Sequence, residues 1–143
     1  MTPFSNPETA ALAKLLTEAR TIAVVGYSPR DDRPSHRIAV ALQRAGYRVI
    51  PVRPGISEGL GERAYARVQD VPDAVDIVDV FRAAEFAPAV VEDCIARKVP
   101  AVWFQDGIFH EEAAQRARGA GLTVIMDRCI WRDFRHLGIR LAR

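Results

Sequence analysis

The chain has 143 residues, of which 49% are hydrophobic, and a formal charge of +2. That length supports one domain with a packed core and is too short for two. Near-balanced charge, scattered arginines and few aromatics argue against a nucleic-acid surface, and no apolar run approaches the roughly 20 residues of a membrane span.

The opening Met1-Thr-Pro-Phe-Ser-Asn6 has no basic stretch followed by an apolar one, so a cytoplasmic chain without a signal peptide is expected. Asn6, Pro7 and Glu8 read as an N-cap, a proline in the first helical position and an acidic first turn. Leu12, Leu15, Leu16 and Ala19 then recur at helical spacing. Residues 21–27 form an apolar run without alternation, the pattern of a strand buried on both faces. A polar, basic loop follows. A helix opens at Pro34 or Ser35, turns Ile38, Leu42 and Ala45 inward, and stops at Gly46.

The second strand is 47–52, and Pro51 marks its end rather than a central ladder position. Residues 61–65 read as a short extended piece and 68–71 as one helical turn. The third strand, 75–81, is rich in β-branched residues. Pro88 begins a helix containing Val91, Cys94 and Ile95. The fourth strand is 101–105, with a turn at Asp106-Gly107. Residues 111–120 form an alanine-rich helix capped by Gly121. The fifth strand is 122–126, and 130–137 make a last short helix.

Strands alternating with helices over short connections predict an α/β fold. The expected form is a Rossmann-like, doubly wound, five-stranded parallel sheet with helices on both faces and strand order 3-2-1-4-5. The switch point then falls between the first and fourth strands, where Gly26 and Gln105 end them.

The stretch after the first strand organises the chain. A glycine, a basic loop and a helix N-terminus make a phosphate-sized cradle, with Ser28, Arg30, Arg33 and Arg37 around it. The dinucleotide fingerprint G-x-G-x-x-G is absent, because the window reads Gly26-Tyr-Ser-Pro-Arg-Asp31 and keeps only the first glycine. The alternative is that Arg30 and Arg33 pair with Asp31 and Asp32 in solvent. NAD folds place an acid after the second strand; here Pro51-Val-Arg53-Pro54 supplies a cation. That suits a phosphorylated ribose, as in NADP or coenzyme A, or else leaves an exposed arginine stiffened by prolines. Phe81 and Ile108 could form an apolar slot and Gln105 could bond an amide, while Trp103 and Phe104 read as core.

Val24-Val-Gly-x-Ser-Pro29, Asp32-Arg-Pro-Ser35, Val49-Ile-Pro-Val52, Gly61-Glu-x-x-Tyr65, Val75-Asp-x-Val-Asp-Val-Phe-Arg82, Trp103-x-Gln-x-Gly107 and Met126-Asp-Arg-Cys129 occur in fixed order. Together they resemble the small stand-alone bacterial CoA-binding proteins, which are similar to the N-terminal domain of the succinyl-CoA synthetase α-subunit. The resemblance implies a groove lined by Gly26, Ser28, Ser35, Pro51, Arg53, Phe81, Arg82 and Gln105, holding CoA or an acyl-CoA. Relatives often carry Asn where Arg53 stands, so its phosphate role is not implied by the family. Ligase activity is not implied either, since the synthetase needs a second domain with a phosphorylated histidine.

Chemistry is sparse. His36 beside the arginines is expected to bond a phosphate or water. Asp76 and Asp79 fall on opposite strand faces, and Asp79 is expected to bond backbone or an arginine. Cys94 looks like packing. Cys129 is the one candidate nucleophile, with Arg128 expected to favour its thiolate. Both cysteines lack a CxxC partner and metal-like spacing to His36, His110 or His136, so reduced thiols and no metal are expected. Three readings remain: a non-catalytic CoA-binding module, an NADP-linked redox domain, and a CoA-thioester enzyme using Cys129.

Overall fold

The computed structural model describes residues 2–143. Five parallel strands form the main sheet: β1 (Thr21–Val25), β2 (Arg48–Val52), β5 (Ile77–Val80), β6 (Ala101–Phe104) and β7 (Thr123–Ile125). Two-residue strands β3 (Glu58–Gly59) and β4 (Glu62–Arg63) make a separate antiparallel hairpin. The helices are α1 (Thr9–Glu18), α2 (Pro34–Ala45), α3 (Ala87–Ala96), α4 (Glu111–Gly119) and α5 (Ile130–His136).

The alternation of side chains along each strand builds two cores. Ala23, Val25, Val78, Val80, Val102 and Phe104 face α3, α4 and the buried Phe4. Ile22, Val24, Ile77, Trp103 and Ile125 face α1, α2 and α5. Trp103 and Phe104 are therefore both fully buried, on opposite faces. Burying such side chains contributes roughly 1.5–3 kcal/mol each. Each long strand expected from sequence is present, and so is the turn at Val68–Asp70, which is a short 3-10 segment.

The strand order is β2-β1-β5-β6-β7. Counted over the five long strands this is 2-1-3-4-5, which corrects the expected 3-2-1-4-5. The reason lies at the outer edge of β2. After the hairpin, the chain returns to that edge: Arg53 N–H donates to the Tyr65 carbonyl (2.7 Å) and Tyr65 N–H donates to the Pro51 carbonyl (3.1 Å). The edge is occupied, and Pro51 has no N–H to offer a further strand. The next strand, buried at every position, takes the inner side of β1 instead. The switch point accordingly moves to β1 and β5.

Asn6 is not the N-cap of α1; that position is Glu8. The Asn6 amide instead pairs with the Met126 backbone just beyond β7, accepting from its N–H (2.8 Å) and donating to its carbonyl (2.9 Å). Asp76 also works on backbone, accepting from the N–H groups of Arg20 (2.8 Å) and Thr21 (2.9 Å).

Candidate functional site

Gly26 ends β1 with φ +82°, a left-handed conformation that glycine adopts without strain. It is also crowded: a Cβ there would stand 3.0 Å from the Phe81 carbonyl oxygen and 3.1 Å from Arg82 Cγ. The sequence therefore needs glycine at this point for two separate reasons.

The following loop closes on itself before α2. Ser28 N–H donates to Ser35 Oγ (3.0 Å), and Arg30 N–H donates to Ser28 Oγ (3.2 Å). His36 Nδ1 lies 3.2 Å from both the Ser28 carbonyl oxygen and the Tyr27 hydroxyl. One ring nitrogen of His36 therefore braces the loop from within. Pro34 sits in the first turn of α2, and the N-cap Arg33 has no side-chain capping bond. The helix N-terminus thus faces the loop with its backbone partial charge unshielded by any acid in the first turn.

Two adjoining cavities open at the carboxyl ends of β1, β2 and β5. The first, about 420 Å³, is lined by Gly26, Ser28, Arg30, Arg33, Pro34, Ser35, Arg53 and Phe81. The second, about 360 Å³, is lined by Val25, Gly26, Tyr27, Val52, Arg53, Pro54, Ala66, Phe81 and Arg82. Gly26, Arg53 and Phe81 belong to both, so the two form one groove, with Arg30 and Arg33 in the first compartment, Arg82 in the second and Arg53 between them. Arg30 pairs with Asp32 (2.9 Å) in open solvent, as the alternative reading expected. Among the described residues, Arg33, Arg53 and Arg82 form no ion pair. Outside the groove Arg48, Arg67, Arg116, Arg128 and Arg132 are paired with acids, while Arg20, Arg44, Arg63, Arg118 and Arg135 form no ion pair among the described residues. What sets the groove apart is that three unpaired arginines line one concave site at the strand ends.

Gly26, Ser28, Arg30, Arg33, Ser35, Arg53, Phe81 and Arg82 come together at this groove. Three other candidates do not line it. Arg37 turns back to donate to the Asp32 carbonyl (3.1 Å). Pro51 is buried in β2. Gln105 is buried one strand further along, its Oε1 accepting from Ile130 N–H (3.1 Å), so it anchors the start of α5. Trp103 does the same, donating through Nε1 to the Arg128 carbonyl (2.8 Å). The slot between Phe81 and Ile108 is absent, since the two pack against opposite cores. Sequence reasoning missed Tyr27, Pro54 and Ala66. Ala66 reaches the groove only because Tyr65 docks on β2, and no local pattern signals that.

Cys129 is the N-cap of α5, and its Sγ accepts from Arg132 N–H (3.5 Å). The expected support from Arg128 fails: that guanidinium grips the buried Asp133 at 2.6 and 2.8 Å. Burial pushes the Cys94 thiol up to about 12, in keeping with a packing role. Asp79 is fully buried between Val24 and Trp103, and neither carboxylate oxygen has a hydrogen-bond partner. This overturns the backbone or arginine contact expected for it. Desolvation raises its pKa well above the ordinary carboxylate value. Among the described residues, no cluster of His, Cys, Asp and Glu able to hold a metal comes together. No helix there is long and apolar enough to cross a membrane.

A switch-point groove with unpaired arginines is the setting in which the family comparison becomes decisive. Residues 20–135 match the family described as the CoA binding domain. The chain belongs to that family. It is 44% identical over 127 residues to the protein YneT of Bacillus subtilis (strain 168), covering 89% of this chain and 94% of YneT. A hypothetical protein from Pyrococcus horikoshii OT3 superposes with a TM-score of 0.90 at 32% identity, over 97% of this chain and 98% of that one. The apo form of the dinucleotide-forming acetyl-coenzyme A synthetase 1 of Ca. Korarchaeum cryptofilum superposes with a TM-score of 0.71 at 28% identity. That match covers 79% of this chain but only 27% of the synthetase chain. The family is thus related to the CoA-binding part of acyl-CoA synthetases, and the relation extends to a fraction of the synthetase's length.

Proposed function

We propose that this protein binds CoA or an acyl-CoA in the groove at the ends of β1, β2 and β5, and acts as a binding module rather than as a catalyst. The observation that carries the proposal is the convergence of Arg33, Arg53 and Arg82, none of them neutralised, on a groove of this family. In the proposed pose the diphosphate occupies the compartment of Arg30 and Arg33, over the Ser28–Ser35 loop and the first turn of α2. The adenine occupies the compartment walled by Val52, Pro54, Ala66 and Phe81, which offers flat apolar contact. Arg53, shared by both, stands where a ribose phosphate would lie.

The non-catalytic part rests on how the groove's polar side chains are used. The Ser28 and Ser35 hydroxyls accept loop N–H groups, and His36 Nδ1 is held between Tyr27 and Ser28. These groups shape the loop and are not arranged as nucleophile, base and orienter. A second reading, NADP, is favoured by the Arg53 cation alone.

Titration calorimetry with CoA, NAD and NADPH in one buffer tests the proposal. CoA is expected to bind more tightly than either, and more weakly as salt rises, because the contacts are charge-based. Equal or tighter binding of NAD or NADPH would overturn it. A panel of acyl-CoA thioesters is expected to remain intact with the protein present, and turnover of any of them would remove the non-catalytic part.

A further inference from the structure

Arg82 makes the shortest of four arginine–aromatic contacts among the described residues. Its stem crosses the end of β1 at a place open only because residue 26 is glycine, with Cγ 3.1 Å from where a Cβ would stand. Its guanidinium carbon lies 3.8 Å from the centroid of the Phe86 ring. Phe86 is 39% exposed, so part of its ring stands open to solvent beside the guanidinium. It ends the 3-10 turn Ala84–Phe86, which runs straight into α3, so the ring stands on a fixed element. Among the described residues, no carboxylate pairs with Arg82.

An acid beside Arg82 would orient it and also cancel its charge. An aromatic face orients a cation and leaves the charge available. A long side chain already confined at stem and head also loses less rotamer freedom when a ligand arrives. We propose that Phe86 is a positioning residue for CoA: it holds Arg82 flat and charged beside the compartment walled by Val52, Pro54, Ala66 and Phe81. This rests on the CoA reading of the groove. The covered face of the guanidinium lies against Phe86; the opposite face and the N–H edge are left for the adenine and phosphate portions of the ligand.

The test is calorimetric titration of CoA into wild type, Phe86→Ala, Phe86→Tyr, Arg82→Ala and the double variant Arg82→Ala/Phe86→Ala. Thermal melts confirm that the exposed-site variants fold. Phe86→Ala is expected to weaken CoA binding by about two- to fivefold, the scale of an exposed cation–π contact. Phe86→Tyr, which keeps the ring, should bind like wild type. In the Arg82→Ala background the Phe86 change should have no further effect. An unchanged affinity in Phe86→Ala, a tighter one, or an equal loss with and without Arg82 would overturn the inference while leaving the CoA reading in place. A wild type that ignores CoA would remove both.

Discussion

Gly26 and Phe81 approach so closely that a Cβ on Gly26 would stand 3.0 Å from the Phe81 carbonyl oxygen. That contact joins the ends of β1 and β5 at the floor of the groove. Gly26→Ala would have to move Phe81 backbone and also adopt φ +82°. A loss of about 1–3 kcal/mol is expected from the backbone conformation alone. Denaturant melts should register it, and CoA affinity should fall together with stability because Phe81 and Arg82 shift with the strand end. A variant with wild-type stability would mean that the strand ends part easily.

Asp79 predicts a pH dependence. Its folded pKa is raised by desolvation, so the folded protein keeps a proton that the unfolded chain releases above about pH 4. Its contribution is therefore most favourable below that value and is lost as pH rises towards the folded pKa. Asp79→Val places a β-branched apolar side chain between Val24 and Trp103. It should stabilise the protein at pH 7 by about 1–3 kcal/mol, the usual cost of an unsatisfied buried polar group. The gain should shrink as pH drops towards 4. Chemical unfolding of both proteins from pH 4 to 8 checks this; a constant difference would show that Asp79 does not titrate on folding.

Arg53 donates only weakly within the chain, its Nη1 lying 3.5 Å from the Tyr27 carbonyl. Arg53→Glu should cost CoA binding about 1–3 kcal/mol, the scale of a charged hydrogen bond. Dephospho-CoA, lacking the 3′-phosphate, should distinguish wild type from variant far less. If both ligands weaken by the same factor, Arg53 contacts another part of the molecule.

Asn6 predicts a stability effect separate from binding. Its side chain makes both hydrogen bonds to the Met126 backbone, beyond the end of β7. Asn6→Ala should lower stability by about 1–3 kcal/mol by leaving that N–H and carbonyl without their partner. Its affinity for CoA should stay unchanged, because Asn6 does not line the groove. A matching loss of affinity would tie the N-terminal segment to the ligand site.

The sequence alone carried the elements and the loop that matters. An unalternated apolar run ending at Gly26, then a proline-opened helix, specifies strand, tight turn and helix N-terminus through purely local sterics and hydrogen bonding. The serines and arginines of that loop are close in sequence, so their convergence needed no tertiary information. Strand order did need it. Residues 75–81 were expected on the outer edge of β2; Tyr65 docks on that edge, and the strand pairs with the free flank of β1 instead. That long-range pairing moved the switch point from Gln105 to Phe81 and brought Ala66 into the groove. Partner choice followed the same rule. Arg128 turned to Asp133, Gln105 to Ile130 and Asn6 to Met126, because a polar group near the core is held by whichever buried partner packing delivers, and packing is a property of the whole chain.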